Sequence, residues 1–394
     1  MTRNRRISTT AVLALAASVA MSGAALAATA PAASAGPAIA AATAVPATRF
    51  ALPAPTGQFA VGRDVLALTD WDRPDPWVPS AGPRQLMVSM FYPAVAGTGT
   101  PAPYMTLAEA ANFIRFRAPA NSGLTPQDVS GAVTHANDGA RQVNGKYPLV
   151  VLSPGFENPR ATLTGLATEL ASHGYVVALV GHTYEDSGET LPDGQTPSCA
   201  ICDGPPPGGP DAITDSRALD VSFVLDQLTR GDRGWRLAHL IDKHRIGMAG
   251  HSIGGASAVT TMIADPRVRA GVNMDGTFYP VPAAGRLDRP FLMLGTDIDH
   301  LAGGSDPTWG QAYADLGGYK RWLAVAGANH ATFTDIPVLA QEAGIPLPTR
   351  IDATRGMVIT REYVSAFFDQ TLKGIHSPLL DGPSSLNPDV LFQY

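Results

Sequence analysis

A serine flanked by glycines stands where a nucleophile could be exposed. Ser252 is the centre of a G-x-S-x-G pattern at residues 250–254, between an apolar strand-like segment at 245–249 and a helical segment at 254–264. Glycines on both sides allow a sharp strand-to-helix turn that leaves the serine hydroxyl exposed. The pattern therefore predicts that Ser252 attacks a carbonyl carbon. The plainer alternative is a Gly-rich turn that the serine merely caps.

A serine hydroxyl needs a base that takes its proton. Where a nucleophile follows a strand in this way, the catalytic residues run in the order serine, acid, histidine. Three histidines follow Ser252: His300 lies beside an aspartate, His330 follows an apolar strand segment, and His376 lies far along the chain. We predict His330 as the base. His182 precedes the serine, so we expect it to have a structural hydrogen-bonding role.

The base needs an acid that orients its imidazole and stabilises the imidazolium form. Asp275 follows one predicted strand, and Asp297 and Asp299 follow the next. The carboxyl ends of parallel strands lie at one edge of a sheet, where such proteins place their chemistry. Each of these aspartates could therefore serve, and the residues alone leave the choice open.

Ester cleavage passes through an oxyanion, which two backbone N–H groups can bind. One should belong to Ile253, the residue after the nucleophile, and the other to the loop at 153–156, after the first long apolar strand. Pro154 cannot donate a hydrogen bond, and Gly155 would form the tight turn. Phe156 is therefore the predicted second donor.

Apolar strands that alternate with amphipathic helices must position these side chains. The predicted strands cover residues 86–92, which Pro93 would stop, and residues 147–152, 175–180, 245–249, 268–274, 291–295 and 322–325. The predicted helices cover residues 107–116, 161–172, 215–229, 254–264, 311–316 and 362–372. Uninterrupted apolar strands indicate a parallel sheet that helices cover on both faces. The predicted fold class is therefore α/β, with a mostly parallel, twisted sheet.

The chain has 394 residues, of which 45% are hydrophobic and 16% are charged, and a formal net charge of −6. Its length suffices for a large α/β core. It has no block of basic residues beyond residue 6, whereas a nucleic-acid binder needs a concentrated basic face. We therefore expect no nucleic-acid partner.

The N-terminus has the three parts of an export signal. Three arginines lie within residues 3–6, residues 11–20 are apolar, and residues 25–27 offer a small-residue cleavage site. We predict a signal peptide at 1–27, with a membrane anchor as the alternative, and secretion after cleavage near Ala27 by either the Sec or the twin-arginine route. The Ala- and Pro-rich residues 28–48 should form a disordered tether, and residues 49–394 a single catalytic domain. Loss of the three arginines takes the net charge from −6 to −9.

The chain has two cysteines, Cys199 and Cys202. Two ligands fall short of the four that a structural zinc site takes. The flanking Pro- and Gly-rich residues lack the βαβ context of a thioredoxin-like redox motif. In an oxidising compartment we expect a small disulfide that staples this loop.

The residues around the predicted nucleophile, acid and base resemble the α/β-hydrolase superfamily, and within it the secreted platelet-activating-factor acetylhydrolase group and its bacterial relatives. The segments that carry the resemblance are MVSMFYPA (87–94), VVLSPGF (150–156), LASHGYVVALVGHTY (170–184), GHSIGGA (250–256), NMDGTFYP (273–280) and GANHATF (327–333). The resemblance implies an α/β-hydrolase fold and a serine esterase. In that group the acid follows the strand after the nucleophile helix, which implies Asp275. The group's oxyanion donors map onto Phe156 and Ile253.

The segments GHSIGG (250–255) and GTDIDHLA (295–302) also resemble actinobacterial lipases and cutinases that cleave polyesters. In those enzymes the acid lies one strand later, which would be Asp299. They carry Thr or Ser after that acid, where this chain has His300.

We therefore expect a secreted carboxylic ester hydrolase that forms an acyl-enzyme on Ser252 and needs no cofactor or metal. The expected substrates are short-acyl phospholipids or other short-chain esters and lipids, met in solution or in transient contact with a lipid or polymer surface. One alternative is a polyester hydrolase that uses Asp299. An alternative of another class is an inactive hydrolase fold that serves as a binding module. The acyl and alcohol specificity, the oligomeric state and the role of loop 181–211 stay open.

Overall fold

Residues 50–229 and 234–394 are described in a computed structural model of the chain. The predicted signal peptide at 1–27 and the predicted tether at 28–48 lie outside the described residues. Both remain predictions, as does the start of the catalytic domain at residue 49.

The described residues form one mixed sheet of eleven strands. The strands are β1 (Ala60–Pro74), β2 (Pro83–Ala94), β3 (Thr100–Pro101), β4 (Ala136–Asp138), β5 (Tyr147–Ser153), β6 (Val176–His182), β7 (Ile241–His251), β8 (Val268–Met274), β9 (Phe291–Thr296), β10 (Lys320–Val325) and β11 (Val390–Phe392). Their order across the sheet is β11-β10-β9-β8-β7-β5-β6-β2-β1-β4-β3. The strands from β10 to β6 in this order are parallel, and β11 and β2 flank them antiparallel. The predicted mostly parallel sheet is confirmed.

Helices cover both faces of this sheet, as predicted. The α-helices are α1 (Leu107–Arg117), α2 (Pro126–Ser130), α3 (Thr164–Ser172), α4 (Gly209–Thr229), α5 (Ile253–Ala264), α6 (Pro307–Asp315), α7 (Ile336–Glu342) and α8 (Ala353–Phe368). Alternate side chains of the buried strands enter two apolar cores, one packed against α4, α5 and α6 and the other against α3 and α8. None of the helices in the described part of the chain combines the length and the hydropathy that a bilayer crossing requires.

The prediction that Pro93 stops its strand is wrong, since β2 continues to Ala94. Pro93 pairs with Val61 of β1, a strand that the sequence pattern missed. The carbonyl oxygen of Pro93 accepts the Val143 N–H at 2.9 Å, on the side away from β1. The missing N–H of the proline therefore faces that same side, and no ladder hydrogen bond to β1 is lost.

Helices α4 and α8 begin six or more residues earlier than predicted. Helix α4 starts at Gly209 instead of 215, with Pro210 in its first turn, a position that tolerates proline because the first N–H groups lack intrahelical acceptors. Helix α8 starts at Ala353 instead of 362, where the side chain of Asp352 accepts the Arg355 N–H at 3.0 Å. The earlier start of α4 shortens the long loop after β6 and brings the helix start to the edge of the sheet where the strands end.

Candidate active site

Ser252 lies at the sharp turn between β7 and α5, as the G-x-S-x-G pattern predicts. Its φ of 56° and ψ of −127° are strained for a residue with a side chain. A Cβ at Gly250 would lie 2.1 Å from the carbonyl carbon of Gly254, and one at Gly254 would lie 2.2 Å from the backbone oxygen of Ser153. Only glycine fits at both positions, so these residues allow the helix to start directly behind the serine.

His330 follows β10 and begins a short 3-10 turn. Its Nδ1 lies 2.6 Å from Oδ2 of Asp275, and 57% of its side chain is exposed. His330 and Ser252 line the same cavity. The structure thus brings together the predicted nucleophile, base and one of the three candidate acids.

Asp275 follows β8 and is the aspartate that reaches His330. Asp297 instead pairs with Arg350 at 2.8 Å, and the exposed Asp299 accepts a hydrogen bond from Ser305 Oγ at 2.5 Å. The acid position that the resemblance to the acetylhydrolase group implies therefore matches the geometry.

Asp275 is almost fully buried, with 3% of its surface exposed. Burial disfavours its charged form, but hydrogen bonds from His300 and His330 outweigh burial and hold the pKa of Asp275 below its usual range. The backbone N–H of Thr296 donates to its Oδ1 at 2.7 Å. The carboxylate is therefore ionised at neutral pH and can stabilise an imidazolium at His330.

The predicted oxyanion donors, Phe156 and Ile253, line one cavity with the predicted nucleophile. Ile253 is the first residue of α5, so its N–H has no intrahelical acceptor. Phe156 lies in the loop after β5. Gly155, which precedes it, packs against the ring of His251, because a Cβ at Gly155 would lie 2.7 Å from Nδ1 of that ring. Both donors thus flank the turn that carries the serine.

His251 is a site residue that the sequence pattern did not single out. Its Nε2 lies 2.7 Å from the backbone oxygen of His330, and the two ring centroids are 4.6 Å apart. Burial, with a smaller contribution from His330, lowers the pKa of His251 to about 3. The neutral ring therefore donates through Nε2 and fixes the backbone of the predicted base.

Buried charges hold the loop that carries Phe156. Arg217 of α4 donates to Ser153 Oγ at 3.1 Å and to the carbonyl oxygen of Pro154. Its Nε donates to Glu185 Oε2 at 2.7 Å. The loop is thereby tied to α4 by a cation that is itself paired, which avoids the cost of an unpaired buried charge.

His182 has the structural role expected of it, since its Nε2 lies 3.0 Å from Ser153 Oγ and its Nδ1 lies 2.9 Å from Asp220 Oδ2. Burial and the nearby Arg217 lower the pKa of His182. Its ring is therefore neutral at pH 7 and bridges the strand end of β5 to α4.

Among the described residues, His182, Glu185 and Asp220 have side-chain atoms close enough together to ligate a metal ion. Arg84 already donates to Asp220 at 2.8 Å and to Glu185 at 3.4 Å, and Arg217 donates to Glu185 as well. Guanidinium groups thus supply the positive charge that the two carboxylates require, and this cluster does not fit a metal site.

The cavity at the predicted nucleophile has a volume of about 800 Å³ and two kinds of wall. One wall is mostly apolar and is lined by Phe156, Pro206, Pro210, Ile213 and Ile253. The other is polar and is lined by Thr277, Asp299, Ser305, Asp306 and Thr308. A ligand in this cavity would therefore meet both apolar contacts and hydrogen-bonding groups.

The cysteine loop belongs to the apolar side of the cavity. Cys199 and Cys202 are joined in a disulfide, with Cα atoms 5.7 Å apart. Cys199 and Ile201, which lies between the two cysteines, pack in an apolar cluster with Ile213 and Ile253. The loop that the disulfide closes thus supports the wall beside the predicted oxyanion donor Ile253.

A family model described as platelet-activating factor acetylhydrolase, isoform II, matches residues 48–191 and 224–378 of this chain. The stretch between the two matched segments holds the Cys199–Cys202 loop and most of α4. The match includes the segments that carry Ser252, Asp275 and His330.

Individual proteins that are similar to this chain are also named as ester-cleaving enzymes. The chain is 28% identical to a probable 1-alkyl-2-acetylglycerophosphocholine esterase of Arthroderma benhamiae, over 87% of this chain and 94% of that protein. It is 26% identical to cutinase est1 of Thermobifida alba, over 40% of this chain and 45% of the cutinase. A solved structure of a ferulic acid esterase from Streptomyces cinnamoneus superposes with a TM-score of 0.77 at 41% identity and covers 88% of this chain and 99% of its own.

These relatives are esterases, and the solved structure among them shares the fold. They confirm the resemblance that the sequence segments predicted, including the weaker likeness to cutinases. The chain belongs to the platelet-activating factor acetylhydrolase, isoform II, family and is a carboxylic ester hydrolase of the α/β-hydrolase fold.

Proposed function

We propose that the chain is a secreted serine esterase that cleaves its substrate through an acyl-enzyme on Ser252. The contact between His330 Nδ1 and Asp275 Oδ2, at 2.6 Å beside the cavity that Ser252 lines, carries the proposal. An Nδ1–H donated to the ionised carboxylate leaves Nε2 of His330 unprotonated. That nitrogen can then take the proton of the serine hydroxyl.

The reaction proceeds in two halves. Ser252 Oγ bonds to the carbonyl carbon while His330 takes its proton, and the N–H groups of Phe156 and Ile253 bind the oxyanion. The bond to the alcohol oxygen breaks as His330 returns the proton to that oxygen. Water, deprotonated by His330, then attacks the acyl carbon, and Ser252 regains a proton as the carboxylic acid leaves.

The lining of the cavity suits an ester with an apolar acyl group and a polar alcohol part. Its apolar wall offers Phe156, Ile213 and two prolines as contacts, and its polar wall offers carboxylates and hydroxyls to an alcohol part that carries hydrogen-bonding groups. The esterase of Arthroderma benhamiae is named for an acetyl ester of a phospholipid. We therefore propose short-acyl esters, with short-acyl phospholipids among them, as the first substrate class.

Esters of an aromatic acid are the second candidate class. The neighbour with 41% identity is a ferulic acid esterase. The cavity of this chain presents the aromatic side chains of Phe156 and Tyr279 beside prolines, and such contacts suit a planar ring. Polyesters are favoured only by the partial match to cutinases.

Export remains a proposal that rests on the N-terminal sequence. We expect the protein that a bacterial host releases into the medium to begin near Ala28, because signal peptidase cleaves after a small-x-small motif such as residues 25–27. N-terminal sequencing of the released protein checks this. Protein retained in the membrane with Met1 in place would contradict it and favour the anchor.

A serine-reactive fluorophosphonate should label Ser252 in the folded protein. The expected adduct maps to the peptide that contains Ser252, because the neighbouring base activates this hydroxyl. Ser252→Ala and the heat-denatured protein serve as controls and should remain unlabelled. Mass spectrometry of the digested protein makes the measurement, and a folded protein without an adduct would instead indicate a binding module.

Asp275→Asn should lower kcat on a p-nitrophenyl ester by about 10⁴-fold, the loss seen in serine proteases whose histidine loses its orienting acid. KM should change little, since Asp275 acts through His330. Asp299→Asn is the matched variant and should keep most of its activity, because Asp299 contacts Ser305 and not His330. The opposite ranking of the two variants would support the polyester hydrolase alternative.

A panel of substrates separates the proposed classes. We expect the highest kcat/KM on acetyl and other short-acyl esters, because the relative matched over most of the chain is named for an acetyl ester. We also expect measurable release of ferulate from a feruloyl ester, because the cavity is partly aromatic. Initial rates on an acetyl-phospholipid, a p-nitrophenyl acyl series, methyl ferulate, a triglyceride and a polyester film provide the ranking. A preference for the polyester film would reject the short-acyl class.

A further inference from the structure

Two histidines contact Asp275, and the proposed mechanism uses one of them. Oδ2 of Asp275 faces His330, whereas Oδ1 lies 2.6 Å from Nδ1 of His300. Thr296 N–H also donates to Oδ1, at 2.7 Å. An ionised carboxylate can only accept hydrogen bonds, so His300 must donate through a protonated Nδ1. His300 thus holds one carboxylate oxygen as His330 holds the other.

The ring of His300 has little freedom to turn. It is 4% exposed and stacks on Trp309 with ring centroids 4.1 Å apart. Its Nε2 lies 3.3 Å from Oδ2 of Asp306, and the Trp322 indole donates to its backbone oxygen at 2.8 Å. A Cβ at Gly295 would lie 2.6 Å from the Cβ of His300, so only glycine leaves room for it. These contacts present Nδ1 to Asp275 in one orientation.

We propose that His300 is a positioning residue of this ester hydrolase, whose Nδ1–H fixes the Asp275 carboxylate with Oδ2 directed at His330. With two fixed donors on Oδ1, the carboxylate cannot rotate that oxygen toward the base. His330 therefore keeps the tautomer in which Nε2 is free to act as the base. The inference rests on the proposed function, since it assigns His300 a role through the proposed acid.

The family resemblance does not assign this role. His300 lies in the turn after β9, four residues beyond the end of that strand, and β9 pairs with β8, which ends at the residue before Asp275. The neighbouring strand ends place the imidazole within reach of the carboxylate.

A matched pair of amide variants tests the role. In His300→Asn the amide nitrogen stands near the position of Nδ1, whereas in His300→Gln it stands near the position of Nε2. Both variants keep a buried polar amide, but only the asparagine can donate to Oδ1 of Asp275.

We expect His300→Asn to keep kcat close to the wild-type value. His300→Gln should lower kcat about 10- to 100-fold, by analogy with the loss on removing a partner that orients a metal-binding side chain. KM for p-nitrophenyl acetate should stay unchanged, and the rate of fluorophosphonate labelling should fall by the same factor as kcat. Thermal melting curves show that each variant is folded. Equal kcat values for the two folded variants would overturn the proposal.

A measurement on the wild-type protein does not depend on how the variants fold. Protons in strong hydrogen bonds between imidazole Nδ1 and a carboxylate resonate at low field in proton NMR. The wild type should show two such resonances, because both histidines donate from Nδ1 to Asp275. A single resonance in the wild type would overturn the proposal.

The test also separates this inference from the proposed function. Failure of the fluorophosphonate to label the wild-type protein would overturn the proposed function and, with it, the catalytic role of His300. If only the role of His300 is wrong, the wild-type protein will still be labelled, and the two amide variants will have the same kcat.

Discussion

The buried carboxylate of Asp275 is the constraint on which the candidate site depends. Three N–H groups, from Thr296, His300 and His330, converge on its two oxygens. They come from the ends of β9 and β10 and the loops that follow, while Asp275 itself follows β8. A buried charge without such partners would cost several kcal/mol. The hydrogen bonds that keep the carboxylate ionised therefore also align three neighbouring strand ends.

The opposite side of the cavity depends on close backbone approach and on buried ion pairs. Gly250 and Gly254 let α5 start directly behind Ser252, where a Cβ at either position would collide with backbone atoms. The loop that carries Phe156 is held by Arg217, which is paired with Glu185. Oxyanion donors must keep their positions before the charge develops, and the polar contacts of Arg217 fix the loop that carries the predicted donor Phe156.

The stretch that holds the cysteine loop lies outside the parts of the chain that match the family model, and it lines part of the cavity. Residues 192–223 lie between the two segments that match the family model. This stretch supplies the disulfide and the apolar wall at Pro206, Pro210 and Ile213. Loops vary more readily than the strands that they connect. The proposed catalytic side chains therefore lie in the matched segments, while part of the apolar lining of the cavity comes from residues outside them.

The sequence by itself determined the features that depend on neighbours along the chain. The glycines around Ser252 predicted the turn, uninterrupted apolar segments predicted the parallel strands, and the position after a strand predicted His330. Strand β1 was missed because Gly62, Arg63 and Asp64 interrupt its apolar residues, and because its pairing with β2 is not visible in either segment alone. The start of α4 was missed because glycine and proline suggested a loop, although proline is tolerated in the first turn of a helix.

Only the tertiary structure decided which carboxylate meets the base. Asp275, Asp297 and Asp299 all follow strands at the same edge, and the residues alone left them equivalent. The difference lies in contacts between distant segments: Asp275 is 55 residues from His330, and its hydrogen bond exists only once β8, β9 and β10 lie side by side. The second histidine on that carboxylate was hidden for the same reason, since its partner is fixed by strand order and not by spacing along the chain.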